Sequence, residues 1–204
     1  MSVFFISDLH LEQNKPHLTK AFKNFIDSKV NLHDELFILG DFFEQWIGDD
    51  NEDDFIKSVK NILKDKTAKG LTVYFMHGNR DFLIGDKFCK EVGAILLDDP
   101  YIINLEEKKI MLMHGDSLCT DDEDYQNFRN LVRSKDWQED FLSKDLKERK
   151  EVAKNLREIS SLENQTKDEN IMDVNQSEVL KIIEDHSVDV LIHGHTHRPF
   201  IHDE

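Results

Sequence analysis

The stretch VDVLIHGHTH (188–197) is an apolar run that breaks into alternating histidines. Residues 188–193 read as a buried β-strand. The glycine that follows is free of the Cβ constraint, so Gly194 is the natural place for the chain to turn. In an extended segment positions two apart share a face. His193, His195 and His197 therefore project together unless Gly194 redirects the chain, in which case the loop presents His195 and His197. Histidine makes up only 10 of 204 residues, so three within five positions call for a purpose. A single HxH is weak by itself, and its weight depends on whether other strands end in the same way.

Four others do. VFFIS (3–7), ELFILG (35–40), LTVYFMHG (71–78) and KIMLMHG (109–115) are short apolar runs of strand length. They lead into Asp8-Leu9-His10, Gly40-Asp41, Gly78-Asn79-Arg80-Asp81 and His114-Gly115-Asp116. Segments of helical period lie between the first three, with Ala21, Phe22, Phe25 and Ile26 in one and Phe55, Ile56, Val59, Ile62 and Leu63 in the other. Strands alternating with helices imply an α/β sheet, in which ligands gather beyond the carboxyl ends of the strands. NLEEKKI (104–110) reads as an antiparallel hairpin, which makes the sheet mixed.

From about residue 121 to 170 the character changes to dense charge without a strand-like run. This segment is expected to be a helical insertion dividing a core of 1–120 and 171–204. Its apolar residues, among them Phe128, Leu131, Trp137, Phe141, Leu142, Leu146, Val152 and Leu156, are of the kind that pack helices onto a core. Beyond it, Asp173 and Gln176 are spaced as a capping pair for an amphipathic helix within 171–186.

Composition narrows the function. A formal charge of -16 argues against general nucleic-acid binding, and any phosphate handled here needs a local cation. Two cysteines, Cys89 and Cys119, are too few for a disulfide scaffold or a thiolate metal site and suit a reducing cytosol. MSVFFISDLH at the start lacks a basic flank and is too short to span a bilayer, so a soluble or peripheral protein is expected.

An Asp after a strand is ordinarily a turn or cap residue. Five strands in series, each delivering Asp, Asn or His, instead suggest a metal site. Imidazole with carboxylate suits first-row divalent ions. Asp8, His10, Asp41, Asn79, His114, His195 and His197 are too many for one ion and suit two. Two divalent ions less two aspartates leave a local charge of about +2, which attracts phosphate into a strongly acidic protein. Paired metals about 4 Å apart lower the pKa of a bound water and clamp both oxygens of a phosphoryl displacement.

The order D-x-H, GD, GN, H, GHxH resembles the calcineurin-like metallophosphoesterase superfamily, whose fold is an α/β sandwich of two mixed sheets flanked by helices. The resemblance implies that Asp8, His10 and His197 hold one metal, that Asn79, His114 and His195 hold the other, and that Asp41 bridges. ISDLHL, ILGDFFEQWIGDD, HGNRDFLIG, MHGDSLCTDD, IMDVNQ and IHGHTHRP together are similar to the UDP-2,3-diacylglucosamine diphosphatase family, over nearly the whole chain. These are manganese-dependent enzymes of lipid A synthesis in Gram-negative bacteria.

That likeness implies attack on the α-phosphorus of UDP-2,3-diacylglucosamine, giving UMP and 2,3-diacylglucosamine 1-phosphate. It implies two Mn2+ in preference to Mg2+, Zn2+ or Fe2+. It further implies a cytoplasmic monomer, peripheral on the cytoplasmic face of the inner membrane, with no nucleic-acid partner. Substrate contacts carry over to Asn79, Arg80, Asp122, Ser160, Asn164, Lys167 and His195, and the catalytic candidates are Asp41, Arg80 and His195. With the resemblance, the helical insertion becomes a substrate cap and part of its apolar stripe an acyl-chain chamber.

Arg80 also has a reason of its own. A sugar phosphate leaves with a pKa of about 6 and needs no general acid, so a guanidinium that forks onto phosphate oxygens is of more use than a proton donor. The insertion is more acidic than expected of a segment that docks on an anionic membrane, which argues against tight association. The chain stops seven residues after His197, where similar chains continue for several strands, so the sequence is expected to be either truncated or naturally shortened, without the final strands of the second sheet. The nearest rival function is another dinuclear enzyme, a nucleotide pyrophosphatase or phosphodiesterase, which would have no use for Ser160, Asn164 and Lys167. A non-catalytic scaffold would be expected to have lost ligands.

Overall fold

The computed structural model describes residues 1–164, 171 and 173–202, with the side chains of 161–164 outside the described set. The chain runs β1 (Val3–Ile6), α1 (Pro16–Lys29), β2 (Glu35–Leu39), α2 (Asp54–Thr67), β3 (Thr72–Met76), α3 (Asp86–Val92) and β4 (Ala94–Leu97). β5 (Tyr101–Leu105) and β6 (Lys108–Met113) follow, then α4 (Glu123–Arg133), α5 (Lys135–Ser143), α6 (Leu146–Asn164), α7 (Gln176–His186) and β7 (Val190–His193). The five strands read from apolar runs are β1, β2, β3, β6 and β7. Two elements with weaker signals, α3 and β4, go unmarked by hydrophobic pattern because each is short.

Two sheets form, β1-β2-β3-β4 and β5-β6-β7. The first is parallel throughout, and the mixed character lies in the second, where β5 runs antiparallel and β7 parallel to β6. The β5–β6 turn uses Glu106 and Glu107 at positive φ (49° and 68°), the backbone of a tight hairpin without its usual glycine or asparagine.

Strand alternation sorts the core. Phe37, Leu39 and Met76, with Val3, Phe5 and Tyr74, face the second sheet and meet Ile110, Leu112 and Ile192. Their neighbours Leu36, Ile38, Val73 and Phe75 face the other way, under Phe22 and Ile26 of α1, Val59 and Leu63 of α2 and Phe88 of α3. On the outside of the second sheet, Met111 and Met113 pack under Val179, Ile182 and Ile183 of α7. The result is two sheets face to face with helices on both outer surfaces, which brings the carboxyl ends of β1, β2, β3, β6 and β7 to one edge.

Residues 123–164 are helical, as the charge-dense sequence implies. Phe141 is buried in the main core, and Trp137, Leu146, Val152 and Ala153 pack against it. At α7 the cap differs from expectation: Asn175, not Asp173, accepts the Glu178 amide at 3.1 Å. Asp173 instead accepts from the Val174 amide and pairs with Arg198.

Candidate metal centre

β1 ends at Ile6 and β7 at His193, so the paired residues Asp8/His10 and His195/His197 lie in loops and not on an alternating strand face. Their backbones are left-handed: φ is 55° at Asp8, 48° at His10, 72° at His195 and 55° at His197, with 50° at Asp41. Non-glycine residues avoid this region, and such strain persists only where the surroundings fix it. The expected turn at Gly194 is thus made by His195 itself. Gly194 serves close approach, since a Cβ there would overlap Asp8 Oδ2 and Ser7 Oγ. His193 stays apart, its Nδ1 2.9 Å from the Gly194 carbonyl oxygen.

The seven candidate ligands converge. Asp8 Oδ1 lies 3.6 Å from His197 Nε2 and 4.0 Å from His10 Nε2. Those two Nε2 atoms are 3.0 Å apart. On the other side, Asn79 Oδ1 sits 3.1 Å from His114 Nε2 and 3.0 Å from His195 Nδ1. Asp41 stands between, with Oδ2 3.7 Å from His10 Nε2 and Oδ1 3.7 Å from His114 Nε2. Ligand atoms of Asp8, His10 and His197 fall within 4.8 Å of one another, as do those of Asp8, Asp41 and His114.

The electrostatics suit cations. Asp8 Oδ1 is buried without a hydrogen-bond partner, an acceptor aimed among imidazoles. Burial, aided by neighbouring His114, lowers the His195 pKa to about 4, which keeps its ring neutral with a lone pair to give. Burial also depresses His114, but the carboxylates of Asp41, Asp116 and Asp8 outweigh it and leave its pKa raised. Burial raises the Asp41 pKa against the pull of His114, so a cation beside it would favour its charged form. The oxygen and imidazole donors fit a pair of divalent ions.

Asp81 organises this centre, a part that the strand-end pattern does not reveal. Fully buried, it accepts the backbone N–H groups of Asp41, Phe42, Phe43 and Gly78 at 2.8–3.3 Å. It makes no surface pair with Arg80. Burial and the Asp41 charge push its pKa up to about 7, while the amides pull the other way. Gly78 leaves room for the Asp41 loop, since a Cβ would overlap Asp41 Oδ1 and N. The only sequence signal for Asp81 is its place in the Gly78-Asn79-Arg80-Asp81 run.

A family model described as calcineurin-like phosphoesterase matches residues 1–199. The chain belongs to this family. A dinuclear divalent metal site is therefore the family's own, and the geometry above supplies its donors. This phosphoesterase is 51% identical over 100% of its length to a protein of Marinobacter nauticus named UDP-2,3-diacylglucosamine hydrolase, covering 83% of that relative. Proteins of the same name from Chromohalobacter salexigens and Haemophilus influenzae are 46% and 47% identical, over 100% and 98% of this chain and 82% and 85% of theirs.

The phosphoesterase site opens into a cavity with about 780 Å³ of space between atoms, part of it open to solvent. Its lining is polar at Glu44, Asn79, Arg80 and Arg157 and apolar at Phe128, Trp137, Phe141 and Leu156 of α4 to α6. Arg80 Nε is buried there without a partner, a donor awaiting an acceptor. Ser160 reaches this cavity. Asp122 does a different job in view, accepting the Tyr125 amide at 3.0 Å as the cap of α4. Asn164 ends α6, and its side chain, like Lys167, lies outside the described residues.

Proposed function

We propose that this phosphoesterase hydrolyses the pyrophosphate bond of UDP-2,3-diacylglucosamine, releasing UMP and 2,3-diacylglucosamine 1-phosphate in lipid A biosynthesis. The observation that carries the proposal is the convergence of seven candidate metal donors beside a cavity lined by arginines and by aromatic and aliphatic side chains. A charged pyrophosphate suits the arginines, and two acyl chains suit the apolar side chains. The names of the relatives agree with that chemistry.

Asp8, His10, Asp41, Asn79, His114, His195 and His197 would hold the metals, with Asp41 shared. Manganese is the proposed ion, because four imidazoles are poor partners for magnesium and suit a softer ion. When bound, the pair supplies an activated water and a clamp on the attacking and leaving oxygens. Arg80 forks onto phosphate oxygens as charge develops. Asn79 and neutral His195 orient the phosphate. Helices α4–α6 act as the substrate cap, with Ser160, Asn164 and Lys167 toward the glucosamine and Asp122 supporting the start of α4.

No helix among the described residues is long and apolar enough to cross a membrane. A cytoplasmic enzyme that meets its lipid substrate at the inner-membrane surface accords with this. Purified chain with manganese is expected to release UMP from UDP-2,3-diacylglucosamine and to leave UDP-N-acetylglucosamine intact. Equal cleavage of both would sink the lipid assignment in favour of a nucleotide pyrophosphatase, and cleavage of neither would sink both.

A further inference from the structure

Glu44 belongs to no ligand set, yet it is packed directly behind one ligand. Its Oε2 lies 3.2 Å from His10 Nδ1, on the side of the ring away from the cluster, while His10 Nε2 faces Asp8, Asp41 and His197. Its other oxygen, Oε1, pairs with Arg157 of α6. The backbone fixes this arrangement: His10 N donates to Asp41 O at 2.9 Å, Leu11 N to Phe42 O at 2.9 Å and Glu44 N to Leu11 O at 3.1 Å. The segment carrying Glu44 is thereby laced to the segment carrying His10.

We infer that Glu44 is a positioning residue, holding His10 with Nε2 turned to the metal and tying that ligand to the cap helix through Arg157. His10 Nδ1 is buried and makes no hydrogen bond of its own, so the Glu44 carboxylate 3.2 Å away is the group placed to take Nδ1–H and so fix the tautomer in which Nε2 keeps its lone pair. A mere surface partner for Arg157 would lie in solvent, where an ion pair contributes little, but the Glu44 side chain is only 12% exposed. A third carboxylate ligand would face the cluster, and Glu44 approaches the opposite nitrogen. One side chain thus joins the metal centre to the wall of the substrate cavity, which Arg157 lines.

This inference rests on the metal-dependent reading of the site, and equilibrium dialysis of the full chain against manganese, read by elemental analysis, tests the two separately. The wild type is expected to take up two equivalents. Glu44→Ala should weaken one of the two sites about 10–100-fold, with the other site and the thermal midpoint of the metal-free protein unchanged. Glu44→Gln retains an acceptor for Nδ1–H and should lose less than Glu44→Ala. Equal loss in both variants would reduce Glu44 to a simple negative charge and overturn the positioning role. So would intact uptake by Glu44→Ala, or a loss at both sites with a lowered midpoint. Absence of manganese from the wild type would remove the metal reading and this inference with it. Arg157→Ala should speed hydrogen exchange along α6, and unchanged exchange would overturn the tie to the cap.

Discussion

The loops at the strand ends and the helices of residues 123–164 are held in different ways. In the loops, contacts are buried and run to the backbone: Asp81 takes four amides, His114 is fully buried with Nδ1 2.9 Å from the Leu39 carbonyl, and five ligands sit in left-handed backbone. The helices carry exposed pairs such as Lys135–Glu139 and Lys154–Glu158, and half-exposed apolar residues such as Leu131 and Leu142. Their firm anchors are few. Arg149 reaches the Ile47 carbonyl and Asp50, and buried Asp116 collects Tyr125, Arg129 and Arg133. Chemistry at a metal pair needs fixed distances, whereas the acyl-chain wall proposed for the helices would need apolar area more than exact position.

The comparison is easiest to break at Asp41. Asp41→Ala is expected to abolish hydrolysis and to strip metal from both sites, as elemental analysis would show; one site still fully loaded would end its bridging role. Asp81→Ala comes next, at about 3–5 kcal/mol of stability in urea unfolding. Four buried donors lose an acceptor, at roughly 1–3 kcal/mol each, and entering water restores part. A loss below about 1 kcal/mol would mean that the loops do not depend on this carboxylate.

Arg80→Ala should lower kcat on the order of 10²-fold and leave metal content intact, if the guanidinium acts on the phosphate, as proposed, and not on the ions. Loss of metal in that variant would make its role structural. At the small end, Lys135→Ala and Lys154→Ala should leave the thermal midpoint within about 1 °C of the wild type. A larger fall in either would show that the helical wall is more tightly held than its exposed pairs imply.

The sequence by itself determined the parts with a local signature. Apolar runs of strand length closing on Asp, Asn or His located β1, β2, β3, β6 and β7 and named all seven candidate ligands, because a buried strand and a polar loop differ sharply in composition. Dense charge without a strand-like run marked about 121–170 as helical for the same reason, and α4 to α6 lie within it. Short β4 and α3 lacked enough residues to set a period, and the α7 cap fell to Asn175 in place of Asp173, since a cap depends on where the helix axis begins. Only the tertiary structure decided how the ligands converge. Alternation along a strand predicted a shared face for His195 and His197, and left-handed loops delivered it instead. Asp81 and Glu44 act on residues 38–40 and 34 positions away, respectively, as an acceptor for distant amides and a backing for His10. Such roles follow from which backbone groups fold together in space, and a carboxylate in a chain with 42 of them carries no mark of that beforehand.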